Sequence, residues 1–174
     1  MLREGLKKGL VETLYDPDAG GTSHRIHPGG LRAEPRGTPL VSLLGSCVTV
    51  CLTDAWNRVG GMNHVVLGKA PPTAAPTDAR YCDIAIERLL AEVVANGARR
   101  EYLVAKIAGG ARVLKDGVRG PGGSNTTCVK SHLRELSIPV VAEDLGGELG
   151  RKVIFFPDSG RMRVRKLDRG EVDG

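Results

Sequence analysis

Aromatic side chains are scarce: the 174 residues hold one Trp, three Tyr and two Phe. A core must therefore be built from Val, Leu, Ile and Ala, a composition that suits β-strands covered by amphipathic helices. Long apolar runs are missing too. No stretch approaches the roughly eighteen apolar residues of a membrane-spanning helix, and the opening MLREGLKKGLVETLYDPD sets charges among its hydrophobic positions, which supports neither a span nor a secretory signal. The chain reads as cytoplasmic, without membrane insertion. Cysteines are few, at positions 47, 51, 82 and 128, and in that compartment they read as free thiols rather than disulfides. No glycine cluster matches G-x-x-x-x-G-K-[ST] or a strand-leading G-x-G-x-x-G, so a nucleotide cofactor is not expected.

The formal charge of +5 is moderate and spread along the chain. Its basic residues are not interleaved with aromatics for base stacking, and no nucleic-acid motif is present, so nucleic acid is not an expected partner. The alternation of Arg161, Arg163 and Arg165 puts three cations on one strand face. That face reads as a charged edge strand or as a docking strip for an acidic partner.

Residues 1–37 include GGTSHRIHPGGLRAEPRG, dense in Gly, Pro and small polar residues. The stretch reads as a flexible N-terminal arm, with His24 and His27 as solvated loop histidines and a single packed domain over 38–174. The apolar run from Pro39 to Leu52 reads as one buried strand bent at Gly45-Ser46, and RVGGMNHVVL as a second strand after the turn TDAWN. GKAPPTAAPTDAR is a Pro-rich loop. Ile86, Leu89, Leu90, Val93 and Val94 recur at helical spacing and stop at Asn96-Gly97. YLVAKIAGGA reads as a strand, KDGVRGPGGSNTT as a glycine-rich loop, and about Thr126 to Leu136 as a second helix. IPVVAEDLGG, RKVIFFPDSG and RMRVRKL read as three strands, the last two joined by a Pro-Asp-Ser-Gly turn. This order predicts an α+β fold of mixed β-sheets packed with two main helices.

Chemistry concentrates at LVSLLGSCVTVCLTD, residues 40–54. A thiol becomes a nucleophile where a base can take its proton and backbone N–H groups can hold an oxyanion. Gly45-Ser46-Cys47 offers a sharply turning backbone with small neighbours. His64 is the one histidine within an apolar strand-like run, on a strand that a short connection places beside Cys47. The alternatives are a core-filling thiol with a satisfied core histidine, or a zinc site from Cys47, Cys51 and His64 with a fourth ligand borrowed from Cys82, Cys128 or an acid.

In order along the chain, LLGSCVTVCLTD, GGMNHVVL, YCDIAIERLL, AKIAGGA, the GGSN loop, and AEDLGG with Arg151 beyond it resemble the motifs of CheD, the chemoreceptor glutamine deamidases of bacterial and archaeal chemotaxis. The resemblance spans about residues 38 to 166 and rests on several separated motifs in the same order and spacing. It implies a cysteine hydrolase with a deamidase-like sandwich fold that converts receptor glutamines to glutamates, without metal or organic cofactor. By motif, Cys47 is the nucleophile and His64 the base. The family threonine stands five or six residues before the cysteine, where this chain has Val41 and Ser42, so Ser42 is expected to supply the hydroxyl. Two departures are Cys82, where alanine is usual, and Ser124, where arginine often precedes the asparagine. The implied partners are methyl-accepting chemotaxis receptors and the phosphatase CheC. Hydrolysis of receptor glutamyl methyl esters, and a weakly catalytic regulatory binding protein, are the neighbouring readings.

Overall fold

A computed structural model describes residues 9–112, 114–115, 118–119, 122–168 and 171. The strands and helices run in the order β1 (Val11–Asp16), β2 (Gly21–Ile26), β3 (Leu31–Glu34), β4 (Leu40–Leu44), β5 (Val48–Asp54), β6 (Val59–Asn63), α1 (Cys82–Ala95) and β7 (Val104–Gly109). After these come β8 (Leu114–Lys115), β9 (Val118–Arg119), α2 (Gly122–Glu135), β10 (Val140–Leu145), β11 (Arg151–Phe156) and β12 (Arg161–Lys166). One five-stranded sheet has the order β1-β2-β4-β11-β12 and the other β10-β7-β5-β6-β3, while β8 and β9 form a separate pair.

The α+β architecture follows from which face of each strand is apolar. In β5, Val48, Val50 and Leu52 join a core with Ile86, Leu89 and Val93 of α1 and Val129 and Leu133 of α2. The alternate residue Cys51 falls into a second core with Ile26, Leu40, Leu44, Met62, Val153 and Phe155, which lies between the two sheets. A period of two on β5 thus feeds two cores, and the layers are sheet, sheet and helices. Every residue of β5 is buried, as expected for a strand covered on both faces. α1 ends where Asn96-Gly97 predicts, with Asn96 as its C-terminal cap. Of its periodic residues Ile86, Leu89, Leu90 and Val93 are buried, whereas Val94 is exposed.

Three expectations are corrected. Residues 11–34 form β1, β2 and β3 rather than a flexible arm, and pairing crosses the expected boundary at residue 38: β2 runs parallel to β4, and β3 is antiparallel to β6. The glycines and Pro28 mark turns, while the segments between them supply edge partners that the sheets would otherwise lack. Lys152 Nζ ties this region to β11 through Asp16 at 2.9 Å and Asp18 at 2.8 Å. Residues 1–8 lie outside the described residues. Next, the run from Pro39 to Leu52 is two strands in different sheets, with Gly45-Ser46 as the bend that carries the chain from one sheet to the other. Last, α2 begins at Gly122, four residues before the expected start, so GGSN is its first turn. The cationic strip is an edge strand: Arg161, Arg163 and Arg165 are exposed, and Arg165 lies 3.7 Å from Asp18 and 3.8 Å from Glu171.

Candidate active site

Cys47 stands at the crossover between the sheets, half-buried, directly before β5. The backbone around it is held from outside. Gly110 N–H donates to the Cys47 carbonyl at 2.8 Å, and Ala111 N–H donates to that of Gly45 at 3.1 Å. Gly109 (φ +115°) and Gly110 (φ +65°) make this close approach possible, for a Cβ on Gly109 would run into the Cys47 carbonyl. Behind them the fully buried Arg151 donates to Gly109 O (3.2 Å), Gly146 O (2.7 Å) and Asp144 (2.9 Å). AGGA and LGG are therefore the backbone turns expected, and both brace the bend.

His64 follows β6. Val48 and Val65 exchange both backbone hydrogen bonds, at 3.0 and 2.8 Å, in the same antiparallel register that sets Cys51 opposite Met62. One step along, that register sets Thr49 opposite His64 and Val66 opposite Cys47. Val48 and Val65 face the helices, so Cys47 and His64 share the face toward the other sheet as diagonal neighbours. Such neighbours lie roughly 7–8 Å apart at Cα, within side-chain reach. Cys47 Sγ has no hydrogen-bond partner among the described residues.

The imidazole Nδ1 of His64 lies 3.0 Å from the carbonyl oxygen of Ile26, at the end of β2. A carbonyl only accepts, so Nδ1 carries the proton and Nε2 keeps its lone pair. Burial pushes the His64 pKa down to about 4; the Ile26 hydrogen bond opposes this and the neighbouring His27 adds to it. Burial likewise pushes the Cys47 thiol up to about 11. The unliganded pair is thus a neutral thiol and a neutral imidazole, not a preformed ion pair.

Ser42 is fully buried on β4, and its hydroxyl donates to the same Ile26 oxygen at 3.0 Å, with Met62 Sδ at 3.3 Å. It meets His64 through a shared acceptor rather than reaching the sulfur. Cys51 is sealed in the core, its thiol raised to about 12 by burial. Cys82 and Cys128 lie with α1 and α2, and burial raises both thiols. Among the described residues no three His, Cys, Asp or Glu side chains converge to hold a metal. His24 and His27, expected as solvated loop residues, are instead paired, His24 with Thr13 (2.8 Å) and Glu34 (3.4 Å), His27 with Glu12 (3.0 Å).

Two contributors escaped the sequence reading. The Ile26 carbonyl is a backbone group and has no residue-type signature, and it lies in the segment read as an arm. Asn125, noticed there only as part of GGSN, is fully buried and donates from Nδ2 to Val66 O (3.0 Å) and Ser46 O (3.3 Å).

These features define an α+β sandwich protein with a half-buried thiol at its sheet crossover and a tautomer-fixed imidazole just past the end of the neighbouring strand. A family profile described as CheD chemotactic sensory transduction matches residues 68–166. That stretch begins after Cys47 and His64, but whole-chain relatives extend across them. A Methylobacillus flagellatus protein named "Probable chemoreceptor glutamine deamidase CheD" is 39% identical over 93% of this chain and 83% of its own length. A Shewanella oneidensis protein named "Probable chemoreceptor glutamine deamidase CheD 1" is 40% identical over 96% of this chain and 84% of its own. An Anaeromyxobacter dehalogenans protein of the same name is 42% identical over 87% and 89%. The chain belongs to the CheD family.

Proposed function

We propose that this protein is a protein-glutamine glutaminase acting on methyl-accepting chemotaxis receptors in the cytoplasm, with Cys47 as nucleophile, His64 as base and Ser42 as a supporting hydroxyl. The observation that carries the reading is the neutral His64 imidazole, its Nε2 left free by the Nδ1 bond to Ile26, on the same sheet face as Cys47. Family membership and the names of the relatives support the substrate class. Among the described residues no helix is long and apolar enough to cross a membrane.

On this reading His64 Nε2 takes the thiol proton as sulfur attacks the glutamine carboxamide carbon. The C=O π pair moves onto oxygen, where backbone N–H groups at Gly45 to Cys47 receive it. Collapse breaks the C–N bond, the imidazolium returns the proton to departing ammonia, and a water activated by His64 hydrolyses the thioester to glutamate and free thiol. A raised thiol and a lowered imidazole suit a site that moves the proton only with substrate present, and catalytic hydrogen bonds commonly tighten only in that complex. The same thiolate and oxyanion donors could attack a glutamyl methyl ester, an easier substrate than an amide.

One observation favours a second reading, a weakly catalytic regulator that binds a chemotaxis partner such as a CheC-type phosphatase: the Ser42 hydroxyl is engaged by Ile26 O and Met62 Sδ and makes no hydrogen bond to the thiol among the described residues. Ammonia release from a receptor cytoplasmic fragment separates the two. The deamidase reading expects release that Cys47→Ala abolishes; the regulatory reading expects negligible release and partner binding that Cys47→Ala leaves intact.

A further inference from the structure

Asn125 lies in the first turn of α2 and reaches the bend from the helix side of the sheet. Both of its amide hydrogens are spent on backbone carbonyls, Val66 O at 3.0 Å and Ser46 O at 3.3 Å. These carbonyls belong to the two segments that meet at the nucleophile, since the register sets Val66 opposite Cys47. Its Oδ1 is buried and has no partner among the described residues. A leucine there would avoid that cost, but it would leave both carbonyls without their donor.

The grip on Ser46 has a directional consequence. A trans peptide unit is planar, and its C=O and N–H point to opposite sides. Holding the Ser46 carbonyl toward α2 therefore turns the Cys47 N–H away from α2. Among the described residues that N–H donates to nothing, whereas the Gly45 and Cys47 carbonyls are both taken, by Ala111 and Gly110. The bend thus presents one free donor on the nucleophile's own peptide, with its direction set by Asn125.

We infer that Asn125 is a positioning residue for deamidation: by holding Ser46 O it aims the Cys47 N–H at the oxygen of the substrate carboxamide, and through Val66 O it keeps the strand after His64 in register with the bend. The inference rests on the deamidase reading. As the S–C bond forms, the carbonyl π pair goes to oxygen and is met by that N–H; as the C–N bond breaks, the pair returns and ammonia leaves with the proton held by His64. The sulfur itself is not what Asn125 orients.

The test uses the full chain, with Asn125→Ala and Asn125→Ser beside the parent, each checked by circular dichroism and thermal unfolding. Ammonia release from a chemoreceptor cytoplasmic fragment gives kcat and KM, and iodoacetamide gives the alkylation rate of Cys47, a displacement that develops no oxyanion. A misaimed oxyanion donor should lower kcat by about 10²-fold in Asn125→Ala, with KM and the alkylation rate within about twofold of the parent. Asn125→Ser, smaller and with one donor left, should fall between, and it carries the test alone if the alanine variant does not fold. Retained kcat in a folded variant overturns the inference, and so does a loss of kcat matched by an equal loss of alkylation, which marks a general structural role. If the parent gives no Cys47-dependent ammonia, the deamidase reading fails and takes this inference with it; an active parent with indifferent Asn125 variants overturns the inference alone.

Discussion

His64 Nδ1 lies 3.0 Å from the backbone carbonyl oxygen of Ile26, and this contact decides which ring nitrogen can act as a base. The acceptor comes from β2 in one sheet and the imidazole from the end of β6 in the other, so the tautomer depends on how the two sheets are packed.

The buried neutral imidazole makes stability depend on pH. The unfolded chain takes up a proton near pH 6.5, but the native state resists it until about pH 4. Between those values the unfolded state binds more protons, so stability should fall as pH falls through this window and change little from this group above it. The loss is on the order of 3 kcal/mol, from a shift of that size at about 1.4 kcal/mol per pH unit. Urea unfolding at intervals from pH 7.5 to pH 4 measures it, and His64→Gln, which keeps a donor for Ile26, should flatten the curve.

Alkylation of Cys47 in the unliganded protein should speed up about tenfold per pH unit through pH 8 to 10, because the thiolate is the reactive form. Burial sets the thiol near 11, so no plateau should appear below that value. Peptide mapping after timed iodoacetamide exposure reads the rate at this cysteine. A plateau near pH 7 would mean a preformed ion pair with His64.

Ser42→Ala should leave the fold nearly intact, at a cost of about 1 kcal/mol, because the Ile26 oxygen keeps its bond from His64. Activity should fall about tenfold, well short of the loss in Cys47→Ala, since the hydroxyl acts through the shared carbonyl and not on sulfur. Steady-state ammonia release on both variants gives the comparison.

Arg151→Met should be destabilising. It takes the donor from the part-buried Gly146 O and the cation from the part-exposed Asp144, while Gly109 O keeps its bond from Gly146 N–H, so the cost should be about 1–3 kcal/mol in all. Because Gly109 and Gly110 pack on the Cys47 backbone, activity should fail at a lower temperature than helix content does. Parallel melts followed by ammonia release and by circular dichroism check the order.

The α+β class, both helices and the three C-terminal strands were legible: α1 by its apolar period, α2 by the capping residues before it, though it starts a turn earlier, and the strands by apolar or alternating runs between turn residues. β1, β2 and β3 were not, since the glycines and prolines around them look like loop chemistry and the ordering of β2 and β3 comes from distant partners, β4 and β6. Cys47 and His64, the proposed pair, could be singled out as candidates by residue type and near neighbourhood. What lay beyond reach was backbone chemistry: the Ile26 carbonyl that sets the tautomer, and the Ser46 and Val66 carbonyls held by Asn125, belong to residues whose side chains say nothing of the role.

The central claim is tested most directly by weighing a chemoreceptor cytoplasmic fragment after incubation with the parent chain and with Cys47→Ala. The account predicts a gain of about one mass unit per converted glutamine with the parent, the difference between an amide and an acid, and no gain with the variant. The same gain with Cys47→Ala would contradict it.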